Sequence, residues 1–278
     1  LPAFFMNTSI YLYDLKTKFE KLKRTGNKYY LSYSGGQDSE FLRLFIEQEK
    51  ITDIPIVAFD TRLEWSEIRE RQLKYCDEII RSELTPFEIK AKYGSPCFTK
   101  LQDYIINEYQ NGNKARWVEL SIAGKYSSVR YNLSKYAQSM LPSLHKVSNL
   151  CCYYLKKQPS KQYTAKTNRL PIIAVTGAEG QGRKSAMEKL TTCFTKKGVF
   201  QPLYDITDNT FKHELYAKCG ITTPRIYNLV DRTGCVGCPY GCLRNGTIPV
   251  PTKKLAMIKK LFGESHQVKG IKLLPYDL

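Results

Sequence analysis

The chain has 278 residues, 42% of them hydrophobic and 25% charged, a globular composition rather than a disordered or fibrous one. Forty-three Lys and Arg stand against 26 Asp and Glu, a net charge of +17 that argues for a polyanionic partner and says nothing of fold. No apolar run approaches the ~18 residues of a membrane span, no basic-then-apolar leader opens the sequence, and nine cysteines is an odd number for a secreted disulfide scaffold. The expectation is a cytoplasmic protein with no membrane partner, whose clustered cysteines are metal or redox sites.

In chain order, Asp14 to Arg24 has helical spacing and stops at Gly26. Lys28 to Tyr33 alternates and is aromatic, so it reads as a strand. Ser34 to Ser39 is a glycine turn, and Glu40 to Gln48 returns to helical spacing. Ile54 to Phe59 is a short apolar run of the kind found in buried parallel strands. Glu64 to Tyr75 reads as a charged helix and Glu78 to Arg81 as a third strand. This βαβαβ order begins an α/β, doubly wound parallel sheet. Phe98 to Tyr109 is a helix, and Gln110 to Leu144 is a polar, basic insertion or small helical subdomain. Pro171 to Val175 is another core strand, Asp208 to Lys218 a helix, and Lys253 to Phe262 a final basic helix. The segments group as residues 1–92 and 170–232, two halves of a nucleotide-binding core; 93–169, a basic helical insertion; and 233–278, a cysteine-rich segment with a basic tail.

Between the first strand and its helix lies SYSGGQDS, Ser32 to Ser39. Gly35 and Gly36 let the backbone approach an anion, and the amides of the following helix N-terminus favour negative charge there. Ser34 and Ser39 add hydroxyl donors, and Gln37 lies within the same loop. Asp38 is an odd neighbour for phosphate unless it orients a cation or a donor, which implies Mg²⁺. Asp60 ends the second strand, at the sheet edge where open α/β folds bind ligands; a helix-capping Asp is the alternative. Glu64 has the same choice between ligand contact and first-turn acid. Gly177 to Ser185, GAEGQGRKS, lacks the Lys of a Walker A loop and the spacing of a dinucleotide fingerprint, so both readings are rejected. Arg183 there suits bidentate phosphate contact.

The charge is concentrated. Lys90 to Arg169 holds fourteen basic residues, three acidic ones and nine tyrosines; Tyr240 to Leu278 holds seven basic and two acidic residues. Basic side chains interleaved with aromatics suit phosphate neutralisation and base stacking, so DNA or tRNA is the expected partner; a solvated basic face is the alternative. The first segment also carries Cys151-Cys152, and CVGC (Cys235, Cys238) follows some eighty residues later. Two adjacent pairs can supply four thiolates, a set that zinc and iron–sulfur clusters both accept. Cys242 is a spare thiol or replaces a ligand, whereas Cys76, Cys97, Cys193 and Cys219 are isolated and read as packing residues. Lys156 and Lys157 beside the cysteine pair face a substrate phosphate or solvent, and the three histidines match no metal spacing.

On these residues the chain resembles a known family. SGGQDS is similar to the PP-loop of the adenine-nucleotide alpha-hydrolase superfamily, which cleaves ATP between its α and β phosphates. AFDTRLEWSEIRE (58–70), TGAEGQGR (176–183) and QPLYDITDNTF (201–211) resemble segments of its phosphoadenosine phosphosulfate (PAPS) reductase branch. The resemblance spans about residues 28–242, and it implies an adenine nucleotide held by Ser34 to Ser39, Asp60 and Gly177, with Asp38, Ser39 and Arg183 catalytic. The tandem cysteines followed by CxxC resemble the 4Fe–4S ligands of adenylylsulfate reductases, which implies Cys151, Cys152, Cys235 and Cys238 as ligands. Sulfurtransferases of DNA phosphorothioation in the same branch are also expected to carry a cluster.

Two departures separate the branches. Reductases usually carry an altered PP-loop, whereas this one is intact and favours ATP; they also end in a catalytic cysteine within a histidine-containing tail, whereas this chain ends GIKLLPYDL. The leading expectation is therefore an ATP-dependent sulfur-transfer enzyme that adenylates a nucleic acid with release of pyrophosphate, served by a sulfur-donor or reductant protein. The alternatives are a PAPS or adenylylsulfate reductase using an external thiol, and a non-catalytic, nucleotide-dependent DNA-binding regulator.

Overall fold

The computed structural model describes residues 7–179, 192–230, 233–241, 243 and 245–277. The chain divides into two compact units: the first comprises residues 1–59, 66–80 and 160–227, the second residues 60–65, 81–159 and 228–278.

The first unit is built on a sheet of β1 (Lys28–Ser32), β2 (Ile56–Asp60), β3 (Glu78–Arg81) and β4 (Arg169–Ile173), in the order β3-β2-β1-β4. β1 lies parallel to β2 and to β4, with Leu31 opposite Ile56 and Ile172. Alternation along β1 serves two cores. Tyr29, Leu31 and Tyr33 pack with α1 (Thr8–Arg24), α2 (Gln37–Gln48) and α9 (Asn209–Lys218). On the other side, Tyr30 and Val57 meet Tyr163 of α8 (Gln158–Thr167), whose ring stands edge-on to Tyr30 at 4.8 Å. Helices thus flank both faces of a parallel sheet, the α/β architecture expected from the strand–helix alternation. Cys193 is buried in the first core and Cys76 and Cys219 pack against it, so these isolated cysteines are packing residues. Completing the unit is α3 (Ser66–Tyr75).

The second unit holds α4 (Pro86–Tyr93), α5 (Lys100–Gln110), α6 (Arg116–Ile122) and α7 (Lys135–Gln138). Cys97, Phe98, Ile105, Ile106, Leu133, Ala137, Met140 and Val147 give this helical segment its own core. The C-terminal part is a β–α–β unit: β5 (Thr247–Pro251), α10 (Leu255–Lys269) and β6 (Lys272–Tyr276), with the strands parallel. α10 runs past the expected Phe262 because Ser265 and His266 continue its buried stripe through Gly263. It ends where Gly270 takes φ +63°, a left-handed cap that suits glycine. Among the described residues, no helix is long and apolar enough to cross a membrane.

Candidate functional site

The Ser34–Ser39 loop lies in the first unit, at the C-terminal end of β1. Strand order reverses between β1 and β4, and open parallel sheets bind ligands at that switch point. Gly35 takes φ +79°, and a Cβ there would stand 2.9 Å from Ile68 Cγ2, so this position requires glycine. α2 starts at Gln37, three residues earlier than its apolar spacing suggests. Its acidic first turn complements the helix dipole. Amides of that first turn have no acceptor within the helix, as an anion site needs.

The two serines shape the loop from inside. Ser39 Oγ donates to the Gly36 carbonyl at 3.0 Å and accepts from the Ser34 amide at 3.3 Å. Ser34 Oγ lies 3.1 Å from Ser39 Oγ and accepts from the Gly36 amide at 3.3 Å. With Ser39 donating to Gly36, Ser34 donates to Ser39, so both hydroxyl protons are used within the loop. Beneath it, Tyr33 Oη donates to Glu40 at 2.5 Å, and Arg43 binds both oxygens of Glu40. Burial opposes the charge on Glu40, but its bonds from Arg43 and Tyr33 outweigh burial and hold the carboxyl below its ordinary range.

Four residues that the sequence did not single out complete this site. Asp38 Oδ1 accepts from Tyr216 Oη at 2.7 Å and pairs with Lys212 Nζ at 3.2 Å. Both partners lie on α9, one turn apart. The Gln37 amide donates to Tyr227 Oη at 3.2 Å, and its side chain donates to Thr223 Oγ1 at 2.7 Å. A Lys–Tyr pair at i, i+4 carries no motif, which is why only the tertiary structure shows it. Asp38 was expected to orient a cation or a donor, with Mg²⁺ implied; the structure shows its carboxylate held by the Lys212 ammonium and the Tyr216 hydroxyl.

After β4, Gly177 packs so closely that a Cβ would stand 2.9 Å from Thr207 Cγ2. Preceding it, Thr176 is fully buried, and among the described residues its hydroxyl has no hydrogen-bond partner. Such an orphan beside a sheet edge is costly unless something completes it. Arg183 and Lys184 lie outside the described residues.

Asp60 belongs to the second unit and is 4% exposed. Its carboxylate accepts from Arg81 Nε and from the Arg62 amide, each at 2.8 Å. Glu64 is pushed up by burial and then by Asp60, against bonds from the Thr61 hydroxyl and amide. These acids secure the Thr61–Trp65 turn ahead of α3, so Asp60 is not seen as a helix cap and Glu64 does not lie in the helix's first turn.

The four expected cysteine ligands all fall in the second unit. Cys151 and Cys152 directly precede a π-helical turn, Tyr153–Lys157; such turns are frequent at functional sites. Cys235 and Cys238 sit in a turn secured from several sides. Trp65 Nε1 donates to the Gly234 carbonyl at 3.1 Å, and the Val236 amide donates to Leu63 O at 2.7 Å. His266 Nε2 donates to Gly237 O at 2.7 Å, Lys269 Nζ to Pro239 O at 3.1 Å, and Tyr240 Oη to Asp103 at 2.6 Å. Thus His266, given no role from its spacing, holds the CxxC turn.

The thiols are close enough to perturb one another. Burial raises Cys151, and the neighbouring Cys235, Cys238 and Cys152 raise it further. Burial pushes Cys238 up to about 12, and Cys235 is raised by burial despite Lys156. Lys156 is raised in turn, chiefly by Cys235. Thiols so raised are protonated at neutral pH and act neither as ligands nor as nucleophiles until the proton leaves. Among the described residues, no three His, Cys, Asp or Glu side chains converge to hold a metal ion. Cys242 lies outside the described residues.

No family model and no curated protein matches the sequence. Among solved structures, a phosphoadenylyl-sulfate (PAPS) reductase from Candida auris, in complex with phosphate, is similar at a TM-score of 0.45 and 11% identity. That alignment covers 80% of this chain and 87% of the other. An NAD+ synthetase from Burkholderia pseudomallei is similar at a TM-score of 0.38 and 13% identity, over 98% of this chain and 93% of the other. At these scores neither likeness carries a functional argument.

Proposed function

We propose that this chain is a PP-loop enzyme that uses an adenine nucleotide, bound at the C-terminal ends of β1 and β4. One observation carries the reading: the loop Ser34 to Ser39 stands at the sheet's switch point and leads into the N-terminus of α2, whose first-turn amides have no acceptor within the helix. The orphaned Thr176 hydroxyl after the neighbouring strand adds a second unmet polar group.

Within that reading, the intact loop favours ATP and attack at its α-phosphate. A nucleic-acid oxygen would form the new P–O bond as the bond to pyrophosphate breaks; sulfide-level sulfur from the donor protein would then bond to the activated atom as AMP leaves with that oxygen. Loop amides would stabilise the charge that develops on the leaving pyrophosphate. Mg²⁺ would share that charge, and Arg183 is the proposed guanidinium contact. Exposed Lys92, Lys114, Arg116, Lys125, Arg130 and Lys135, with exposed Tyr104, Tyr109 and Tyr136, support a nucleic-acid partner.

For the thiols we propose cluster ligation. Zinc and iron–sulfur clusters both accept four thiolates, and the tandem cysteine pair followed by CxxC is what favours the cluster. When bound, it would supply electrons or a sulfur-binding iron. Cys151, Cys152, Cys235 and Cys238 would release their protons to solvent on ligation, and Lys156 would balance the thiolate charge.

A second reading, a PAPS or adenylylsulfate reductase using an external thiol, rests on the same loop and switch point, which would hold the adenylyl group of that substrate. Product analysis separates the two. Full-length protein incubated with ATP, Mg²⁺ and DNA or tRNA releases pyrophosphate under the first reading. With PAPS and a dithiol it releases sulfite under the second. Nucleotide binding with neither product would leave the chain a nucleotide-dependent regulator.

A further inference from the structure

Lys212 is 8% exposed, and burying a lysine is costly unless it is paired. Its partner is Asp38, the second residue of α2, whose side chain is itself only 13% exposed. A buried ion pair of this kind adds little stability compared with apolar packing, so its placement calls for another explanation. That placement is informative. An uncompensated Asp38 carboxylate beside the loop amides would repel the phosphate that those amides are arranged to attract. Lys212 cancels that charge. Of the three ammonium donors on Lys212, one is directed at Asp38, which leaves donors for further oxygens. Tyr216 fixes the arrangement: its hydroxyl donates to the same Oδ1, and its ring stacks on Phe41 of α2 at 5.0 Å. Burial first, and then the charge of Asp38, keep that phenol protonated, so it remains a donor.

Resting on the nucleotide reading above, we infer that Lys212 contacts the phosphates of the nucleotide bound on the loop, with Asp38 and Tyr216 as its positioning residues. Asp38 then serves to aim an ammonium group built into the fold. A lysine is a point charge on a flexible stem, so it can follow a phosphate during bond cleavage, where a bidentate guanidinium would hold one geometry.

Calorimetric titrations of the full-length protein with ATP, inorganic pyrophosphate and adenosine test this. Lys212→Gln weakens ATP and pyrophosphate at least tenfold and leaves adenosine within twofold of wild type. Lys212→Arg recovers most of the phosphate affinity. Tyr216→Phe gives a smaller loss confined to the phosphate-bearing probes. Equal ATP affinity in wild type and Lys212→Gln would overturn the inference while the nucleotide reading stands. Equal losses for ATP and adenosine would also overturn it, because Lys212 would then only support the loop. Wild-type protein that binds none of the three probes would overturn the nucleotide reading itself.

Discussion

At the scale of single residues, the site depends on backbone conformation as much as on functional groups. Gly35 combines a positive φ with a close approach to Ile68. Gly35→Ala should cost about 1–2 kcal/mol from the left-handed conformation, and a displaced loop should also lose ATP affinity. A thermal midpoint and affinity both unchanged would show that the loop tolerates a Cβ. His145 makes a separate prediction in the second unit. Its Nδ1 lies 2.9 Å from Glu264 Oε2, Nε2 lies 3.1 Å from Ser265 Oγ, and Lys90 bonds the same Glu264. Burial lowers its pKa from the ordinary 6.5, against the attraction of Glu264. The folded imidazole therefore binds its proton more weakly than the unfolded one. That contribution to stability is complete above pH 6.5 and is lost as pH falls through the folded value. Denaturant titrations from pH 7.5 to 5 should show the decline in wild type and a flatter profile in His145→Gln; parallel profiles would refute it.

At the scale of elements, legibility followed local signals. Strand β1 was readable because its alternation serves a core on each face, and helix α9 because its helical period buries Lys212, Leu215 and Tyr216. α4 was not read, although Thr85-Pro86-Phe87-Glu88 carries its start: the Thr85 hydroxyl accepts from the Glu88 amide, and the Glu88 carboxylate accepts from the Thr85 amide. Thr85→Ala should cost about 1 kcal/mol of stability by denaturant titration; no change would show that tertiary packing alone holds the helix. β5 and β6 were hidden by prolines, Pro249, Pro251 and Pro275, which argue against a central strand; as a two-stranded pair each has a free edge where proline is tolerated. α8 was obscured by Pro159 and by the π-helical turn ahead of it. In the phosphate loop, Ser34 to Ser39 was legible as a motif, whereas Lys212, Tyr216, Thr223 and Tyr227 were not. Their role depends on a tertiary approach between α9, its following loop and α2, across more than 170 residues of chain.

At the scale of the molecule, charge and cysteines coincide. Most of the +17 sits in two segments, and both fall mainly in the unit that also holds Cys151, Cys152, Cys235 and Cys238. A polyanion would meet that unit through counterion release, so log affinity for DNA or tRNA should fall linearly with log salt. Affinity independent of salt would remove the electrostatic argument. The thiols make their own prediction: anaerobically purified protein should contain roughly four irons per chain, as a cubane held by four cysteines does. One zinc and no iron would make the four thiols a structural clip. The loop at the β1–β4 switch point is the claim on which the rest depends. Hydrogen–deuterium exchange of the full-length chain, with and without ATP and Mg²⁺, tests it where it is made. Slowed exchange in peptides spanning Ser32 to Glu40 and Ile172 to Ala178 is the predicted result; saturating ATP that leaves both segments unprotected would contradict it.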